Sequence, residues 1–163
     1  MKSRINVYAR IRREDVAKRL FYGVDRSSNG DTLTLHQPED DHRKKRISHR
    51  FRFQRVFDLN SDQKDVFESI AVPIIDKTMD GRNGTIFAYG PTGSGKTYSL
   101  TGSHSNYEKR GLIPRTIEYI FKFLTETNGR YIVYLSFLEI YNETAYDLLN
   151  PKRTFESGAE ELP

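Results

Sequence analysis

The sequence predicts an α/β domain, a mostly parallel central sheet with helices on both faces, and three observations carry that expectation. Gly90-Pro91-Thr92-Gly93-Ser94-Gly95-Lys96-Thr97 satisfies G-x-x-x-x-G-K-[ST] at every fixed position and follows a short apolar run, Thr85-Ile86-Phe87-Ala88-Tyr89. Upstream, Val66, Phe67, Ile70, Ile74 and Ile75 recur at helical intervals, so helix, strand, loop and helix follow one another. Downstream, Tyr131-Ile132-Val133-Tyr134-Leu135-Ser136-Phe137-Leu138 is the most apolar run in the chain, as expected of a strand buried on both faces.

Composition bounds the rest. The 163 residues suffice for one domain with a real core, are 36% hydrophobic and 29% charged, and show neither an internal repeat nor a second domain. Absence of cysteine removes disulfides, thiolate metal sites and cysteine nucleophiles; four histidines without ligand spacing suggest no zinc site. The N-terminus lacks an apolar signal region, and no stretch approaches the roughly 18 apolar residues of a membrane span, so a soluble intracellular protein is the default. A net charge of +4 favours an acidic partner, for which nucleic acid and acidic protein polymers both qualify.

Taken in order, Ile5-Asn6-Val7-Tyr8-Ala9-Arg10 reads as a first strand ending near Arg10-Ile11-Arg12-Arg13. Ligands gather outside the carboxyl ends of parallel strands, so Arg10 or Arg12 either borders a nucleotide or stands as a solvated charge. Leu20-Phe21-Tyr22, the turn at residues 27–31 and Leu33-Thr34-Leu35 suggest a small appended hairpin. The run Arg43-Lys44-Lys45-Arg46 reads as a solvated loop, with nucleic acid or a nuclear import receptor as the alternative contact.

Phe51-Arg52-Phe53-Gln54-Arg55-Val56-Phe57 alternates as one strand, with Phe51, Phe53 and Phe57 toward a core. Asn60 and Gln63 have capping-box spacing ahead of the helix at residues 66–77, and residues 80–84 form a turn cluster. Residues 103–110 read as a mobile polar excursion. Pro114 then suits the first turn of a helix in which Ile117, Ile120, Phe121 and Leu124 share a face, until Asn128-Gly129 stops it.

The chemistry lies in the glycine loop. Glycines let the backbone curl until successive N–H groups face inward, and the helix starting near Lys96 points its positive end at the same space, so phosphate is the natural occupant. Lys96 reaches the β- and γ-phosphates as a point charge, while the Thr97 hydroxyl ligates Mg²⁺. The pattern specifies nucleotide phosphate without specifying the nucleotide.

Taken together, the motifs resemble the kinesin motor domain. The resemblance runs from residues 5–12 through Phe53-Gln54-Arg55-Val56-Phe57 and Asn83-Gly84-Thr85-Ile86-Phe87-Ala88-Tyr89-Gly90. It continues in Gly111-Leu112-Ile113-Pro114-Arg115 and Ser136-Phe137-Leu138-Glu139-Ile140-Tyr141-Asn142-Glu143, ending at Asp147-Leu148-Leu149. Residues 51–57 and 134–151 look most like the ninth kinesin family, associated with cilia and flagella.

The resemblance implies a phosphate-loop NTPase-type fold of which residues 1–163 are about the first half, the ATP-binding part of a motor domain. Gly90, Pro91, Thr92, Gly93, Ser94, Gly95, Lys96 and Thr97 would hold ATP and Mg²⁺, with Lys96 and Thr97 as candidate catalytic residues and Thr97 on the metal. Tyr98 matches the position that stacks on adenine, although on its own it reads first as ordinary helix packing. Arg10 and Arg12 match the arginines of an R-x-R-P motif on the adenine side, with Arg13 here in place of the proline. Pro91, where the family has glutamine, loses one N–H without abolishing the cradle.

Implied partners are microtubules and a second copy through a stalk outside these residues, with no nucleic acid or membrane. The implied site of action is the cytoskeleton of the cytoplasm, including a cilium or flagellum. Hydrolysis needs a γ-phosphate sensor, and neither N-x-x-S-S-R-S-H nor D-x-x-G-x-E occurs in these residues. Two expectations follow: a truncated product, partial gene model or excised fragment of a motor, or a kinesin-like nucleotide binder without turnover. A basic nucleic-acid-binding domain is a third. Lys152 and Arg153 read as a solvated tail, with tubulin contact as the alternative. In the kinesin fold the neighbours of residues 85–89 come from later in the chain, so that strand is expected to lack partners here.

Overall fold

The computed structural model describes residues 5–12, 21–36, 48–127 and 129–150. Arg13, Leu20, the cations at residues 43–46, Asn128, Lys152 and Arg153 lie outside the described residues. Two compact units divide the chain, Met1–Phe123 and Leu124–Pro163.

In the first unit, strand β1 (Tyr8–Arg10) lies parallel to β5 (Arg55–Phe57), with Tyr8 opposite Arg55 and Arg10 opposite Phe57. Between them come β2 (Phe21–Asp25), β3 (Asp31–His36) and β4 (Ser48–Phe53), an antiparallel sheet in the order β2-β3-β4. The expected hairpin is therefore present, and its turn is closed by Gly30 N–H donating to Ser27 O at 3.1 Å.

The single strand expected at residues 51–57 is two strands. Phe53 pairs with Asp31 of β3, whereas Arg55 pairs with Tyr8 of β1, so the chain must change partners between them. It bends at Gln54, whose N–H donates to Val7 O at 2.7 Å. The bend also redirects the side chains: Phe57 and Val56 are fully buried, while Phe51 is exposed rather than in the core.

A polar clamp ties the antiparallel sheet to β5. The buried Asp31 carboxylate accepts from Val56 N–H at 2.8 Å and from Arg26 Nη1 at 3.3 Å, while Arg26 Nη2 donates to Asp58 at 2.8 Å. The Asn60 backbone N–H, and then Arg26, hold the Asp58 carboxyl below its ordinary value. A depressed folded-state pKa contributes stability above the unfolded-state value that is lost as pH falls through the folded one. Below about pH 4, urea midpoints should therefore fall more steeply for the unaltered chain than for Asp58→Asn. Parallel curves would remove Asp58 from the acid response.

Helix α1 (Gln63–Val66) passes through a π-helical turn (Phe67–Ala71) into α2 (Val72–Met79). Asp62 and Asp65 form the capping box, not Asn60 and Gln63: Asp65 N–H donates to Asp62 at 2.7 Å and Asp62 N–H to Asp65 at 3.0 Å. Two residues of shift follow because Asn60 is held in the preceding turn, its N–H donating to Asp58. Pro73 explains the π turn. An uninterrupted α-helix would drive its ring into the Ser69 carbonyl, and the wider turn places Pro73 in the first turn of α2 instead. Gly81 N–H to Thr78 O and Arg82 N–H to Lys77 O close the far end as a Schellman motif.

The core gathers Phe57, Val66, Phe67, Ala71, Ile75 and Leu112, with Tyr8, Leu100, Tyr119 and Ile120 against its margin. Residues 85–89 belong to no strand, in line with the lack of partners that the kinesin resemblance implies and against the buried strand that the apolar run alone suggests. Ile86 and Ala88 are half-buried, whereas Phe87 is 82% and Tyr89 90% exposed, their rings stacked 6.4 Å apart. Alternation survives because it is set by the backbone; burial on both faces needs neighbouring strands, and none pairs here among the described residues.

Helix α3 (Lys96–Leu100) follows the loop, and residues 103–110 then make a closed turn rather than an open excursion. Asn106 caps a 3-10 turn at Tyr107–Lys109, and Ser103 N–H donates to Lys109 O at 2.9 Å. Helix α4 (Leu112–Glu126) buries Leu112 and packs Tyr119 and Ile120 against the core. Ile117 and Phe121, expected on that face with Ile120, are 42% and 52% exposed, because the core is entered one step around the helix, through Tyr119.

In the second unit, β6 (Leu138–Tyr141) and β7 (Thr144–Asp147) form an antiparallel hairpin. Asn142 and Glu143 make its two-residue turn with φ of 49° and 63°, the type I′ geometry that matches strand twist. Residues 131–137 are exposed and carry no strand, against the expectation of the most buried strand in the chain. Pairing approaches only at its end, where Leu148 N–H donates to Phe137 O at 2.8 Å. Among the described residues the parallel sheet thus extends only over β1 and β5, because both runs expected as its further strands lack ladders.

Candidate phosphate-loop site

The glycine loop is shaped by its own sequence. Gly95, immediately before α3, takes φ 96° and ψ 19°, a left-handed conformation that a side chain would strain. Ser94 N–H donates to Pro91 O at 3.1 Å, closing a turn whose acceptor is the proline carbonyl, so the missing proline N–H is not needed there. Lys96, at the first position of α3, is half-buried and turns back over the loop, donating to Gly90 O at 2.8 Å and Pro91 O at 3.0 Å. Thr97 and Tyr98 follow on α3, both exposed.

The end of β1 delivers the arginines. Arg12 donates to Gly93 O within the loop. Arg10 donates to Ser99 Oγ at 3.0 Å and to Gln63 Oε1 at 2.8 Å, and its guanidinium lies 5.2 Å from the centre of the Tyr98 ring. Burial lowers the Arg10 pKa from its ordinary value, with Tyr98 and Asp62 acting in the opposite direction. Among the described residues no carboxylate lies within ion-pair distance of Arg10, Arg12 or Lys96. Every residue singled out in the sequence as a site candidate, from Gly90 to Tyr98 with Arg10 and Arg12, is therefore gathered around one loop.

Sequence reasoning missed Gln63 and Ser99. Gln63 was read as part of a cap, yet it is only 3% exposed and its amide joins three segments. A signal was present: Gln63 stands at helical spacing ahead of Val66, Phe67 and Ile70, a polar residue on the inward face.

A glycine-rich turn leading into a helix, overhung by cations that among the described residues have no carboxylate at ion-pair distance, is the arrangement of the phosphate-loop class of proteins. Comparison with known proteins narrows the class. Residues 11–161 match the kinesin motor domain, and the chain belongs to that family. It is 39% identical over 138 residues to Kinesin-related protein 3 of Dictyostelium discoideum, covering 80% of this chain and 12% of that protein. It is 45% identical over 105 residues to the kinesin heavy chain of Botryotinia fuckeliana, covering 63% and 12%. With Kinesin-like protein KIF3C of Pongo abelii it shares 45% over 101 residues, covering 61% and 13%. The chain thus spans about an eighth of the length of these relatives.

Proposed function

We propose that this chain supplies the ATP-binding part of a microtubule-dependent motor ATPase. The observation that carries the reading is the convergence of Arg10 and Arg12, more than 80 residues away in sequence, on the phosphate loop and Tyr98. Cations that among the described residues have no ion-pair partner suit a polyanion, and an exposed Tyr98 ring beside Arg10 suits a planar base. The residues present therefore fit a nucleoside triphosphate.

In this reading residues 90–97 hold the phosphates, Lys96 exchanges its loop carbonyls for phosphate oxygens, and the Thr97 hydroxyl takes Mg²⁺. The metal ion would supply charge neutralisation across the phosphate oxygens. Arg10 and Tyr98 border the adenine, and Arg12 steadies the loop at Gly93. Hydrolysis and movement along microtubules, self-association through a stalk, a cytoskeletal location in the cytoplasm and the absence of nucleic-acid and membrane partners belong to the same proposal. So does membership of the ninth, ciliary or flagellar kinesin family, which rests on residues 51–57 and 134–151 alone.

Calorimetric titration with ATP tests the reading. Binding should be tight with Mg²⁺ and at least tenfold weaker with EDTA, as follows when a bridging cation is withdrawn from a polyphosphate. No binding in either buffer would overturn it. Nucleotide binding without turnover remains the second reading, favoured by residues 85–89, which lead into the loop and pair with no strand among the described residues. Release of phosphate on adding microtubules discriminates: stimulated release supports the motor, and bound ATP recovered intact supports the binder.

A further inference from the structure

Gln63 is a buried side chain that joins β1, α1, α3 and the turn before α4. Its Oε1 accepts from Arg10 Nη1 at 2.8 Å, and its Nε2 donates to Tyr98 O at 2.7 Å and Lys109 O at 3.2 Å. Both amide protons and the carbonyl are thereby used. The orientation of the amide follows from its partners: rotated by half a turn, it would aim its NH₂ at a guanidinium and its oxygen at two carbonyls. Burial at 3% exposure makes these bonds hard to replace with water.

The consequence falls on Arg10. Its guanidinium lies beside the Tyr98 ring at 5.2 Å, and the groups that hold it there are Gln63 Oε1 and Ser99 Oγ. Ser99 offers a rotatable hydroxyl on the same short helix as Tyr98, whereas Gln63 reaches in from another element and is fixed at three points. The hydrogen bonds of Gln63 go to Arg10, Tyr98 O and Lys109 O and not to residues 90–96, so its influence should centre on the side of the site where Arg10 and Tyr98 meet.

We propose that Gln63 is a positioning residue for the base-binding side of the site: by fixing Arg10 beside Tyr98, it sets affinity for adenine without affecting the grip on phosphate. This rests on the ATP reading above. Its mechanism is pre-organisation, since a long arginine held in its bound rotamer loses less freedom when the base arrives.

The test uses the full chain and two probes, Mg-ATP and Mg-tripolyphosphate, titrated calorimetrically. Gln63→Met should lower ATP affinity about tenfold, the order expected when a hydrogen bond to a charged group is lost. Tripolyphosphate affinity should stay within about twofold of the unaltered chain. Gln63→Glu keeps an acceptor for Arg10 and should restore ATP affinity, while setting a carboxylate against the Tyr98 and Lys109 carbonyls and lowering the urea midpoint. Adding Gln63→Met to Arg10→Ala should cost nothing more in ATP affinity.

Equal losses for both probes with Gln63→Met would reduce Gln63 to a structural role and overturn the proposal, as would a further loss in the double variant. Should Gln63→Met fail to fold, Gln63→Glu decides alone, because loss of its preference for ATP over tripolyphosphate is the overturning result. An unaltered chain that binds neither probe overturns the ATP reading and this proposal together; one that binds ATP as well after Gln63→Met overturns only this proposal.

Discussion

Lys96→Ala should lower affinity for Mg-ATP by about a hundredfold or more. Its ammonium group is half-buried over the loop and bonded to Gly90 O and Pro91 O, with no carboxylate beside it among the described residues. Carbonyl partners hold the charge in place without neutralising it, so the strongest exchange open to Lys96 is with an anionic oxygen. Truncating one partner of a desolvated charge pair costs about 2–5 kcal/mol, which converts to between roughly thirtyfold and several thousandfold. The loss should be as large for tripolyphosphate as for ATP, the opposite of the selectivity expected at Gln63. Calorimetric titration of both probes checks this, and a loss under tenfold would mean the loop binds phosphate through its backbone alone. Lys96→Arg should not restore affinity, because a planar fork replaces a compact ammonium in a space closed by backbone.

Gly111→Val should destabilise the chain by about 3 kcal/mol, the upper part of the range for overpacking. A Cβ at Gly111 would meet the carbonyl carbon and oxygen of Leu100 at 2.5 Å and Ser99 O at 2.7 Å. All three are backbone atoms, so no side-chain rotation makes room. Relief requires moving the end of α3 from the start of α4, where Leu112 is buried in the core and Gly111 N–H donates to Thr101 O at 3.0 Å. Because α3 begins with Lys96, ATP affinity should fall with stability, linking a packing defect to the site. Urea denaturation checks the first effect, with the exposed Ile113→Ala as a control expected to stay within about 0.5 kcal/mol. A loss below about 1 kcal/mol would show that α3 and α4 separate at little cost.

Features whose partners are close in sequence were legible. The loop at residues 90–97 depends on its own glycines, and the hairpin of β2 and β3 on a turn between its strands. The helix end at Met79 depends on Asp80 and Gly81. Near misses are also local in origin: the cap moved from Asn60 to Asp62 because Asn60 was already engaged by Asp58, a competition between adjacent turns that residue types alone do not rank. Pro73 was visible, but the π turn that accommodates it depends on the helix continuing on both sides.

The larger discrepancies concern apolar runs. Residues 85–89 and 131–137 have the composition of buried strands, yet Tyr89 is 90% and Tyr134 86% exposed. Composition reports what a strand can tolerate around it; a ladder exists only when another segment supplies the facing N–H and C=O groups. At the site, the sequence named Arg10, Arg12, the loop and Tyr98, and the kinesin resemblance put them around one nucleotide, but nothing in it pointed to the buried amide that holds Arg10.

By itself, the sequence determined the kinesin motor family, through motifs spread from residue 5 to residue 149, and local features such as the glycine loop at residues 90–97 and the β2–β3 turn, whose determinants lie within a few positions of one another. Only the tertiary structure decided the bend at Gln54, the exposure of residues 131–137, the face of α4 turned to the core and the place of Gln63. Those outcomes depend on which distant segments meet, and burial and hydrogen bonding are properties of the meeting rather than of either segment.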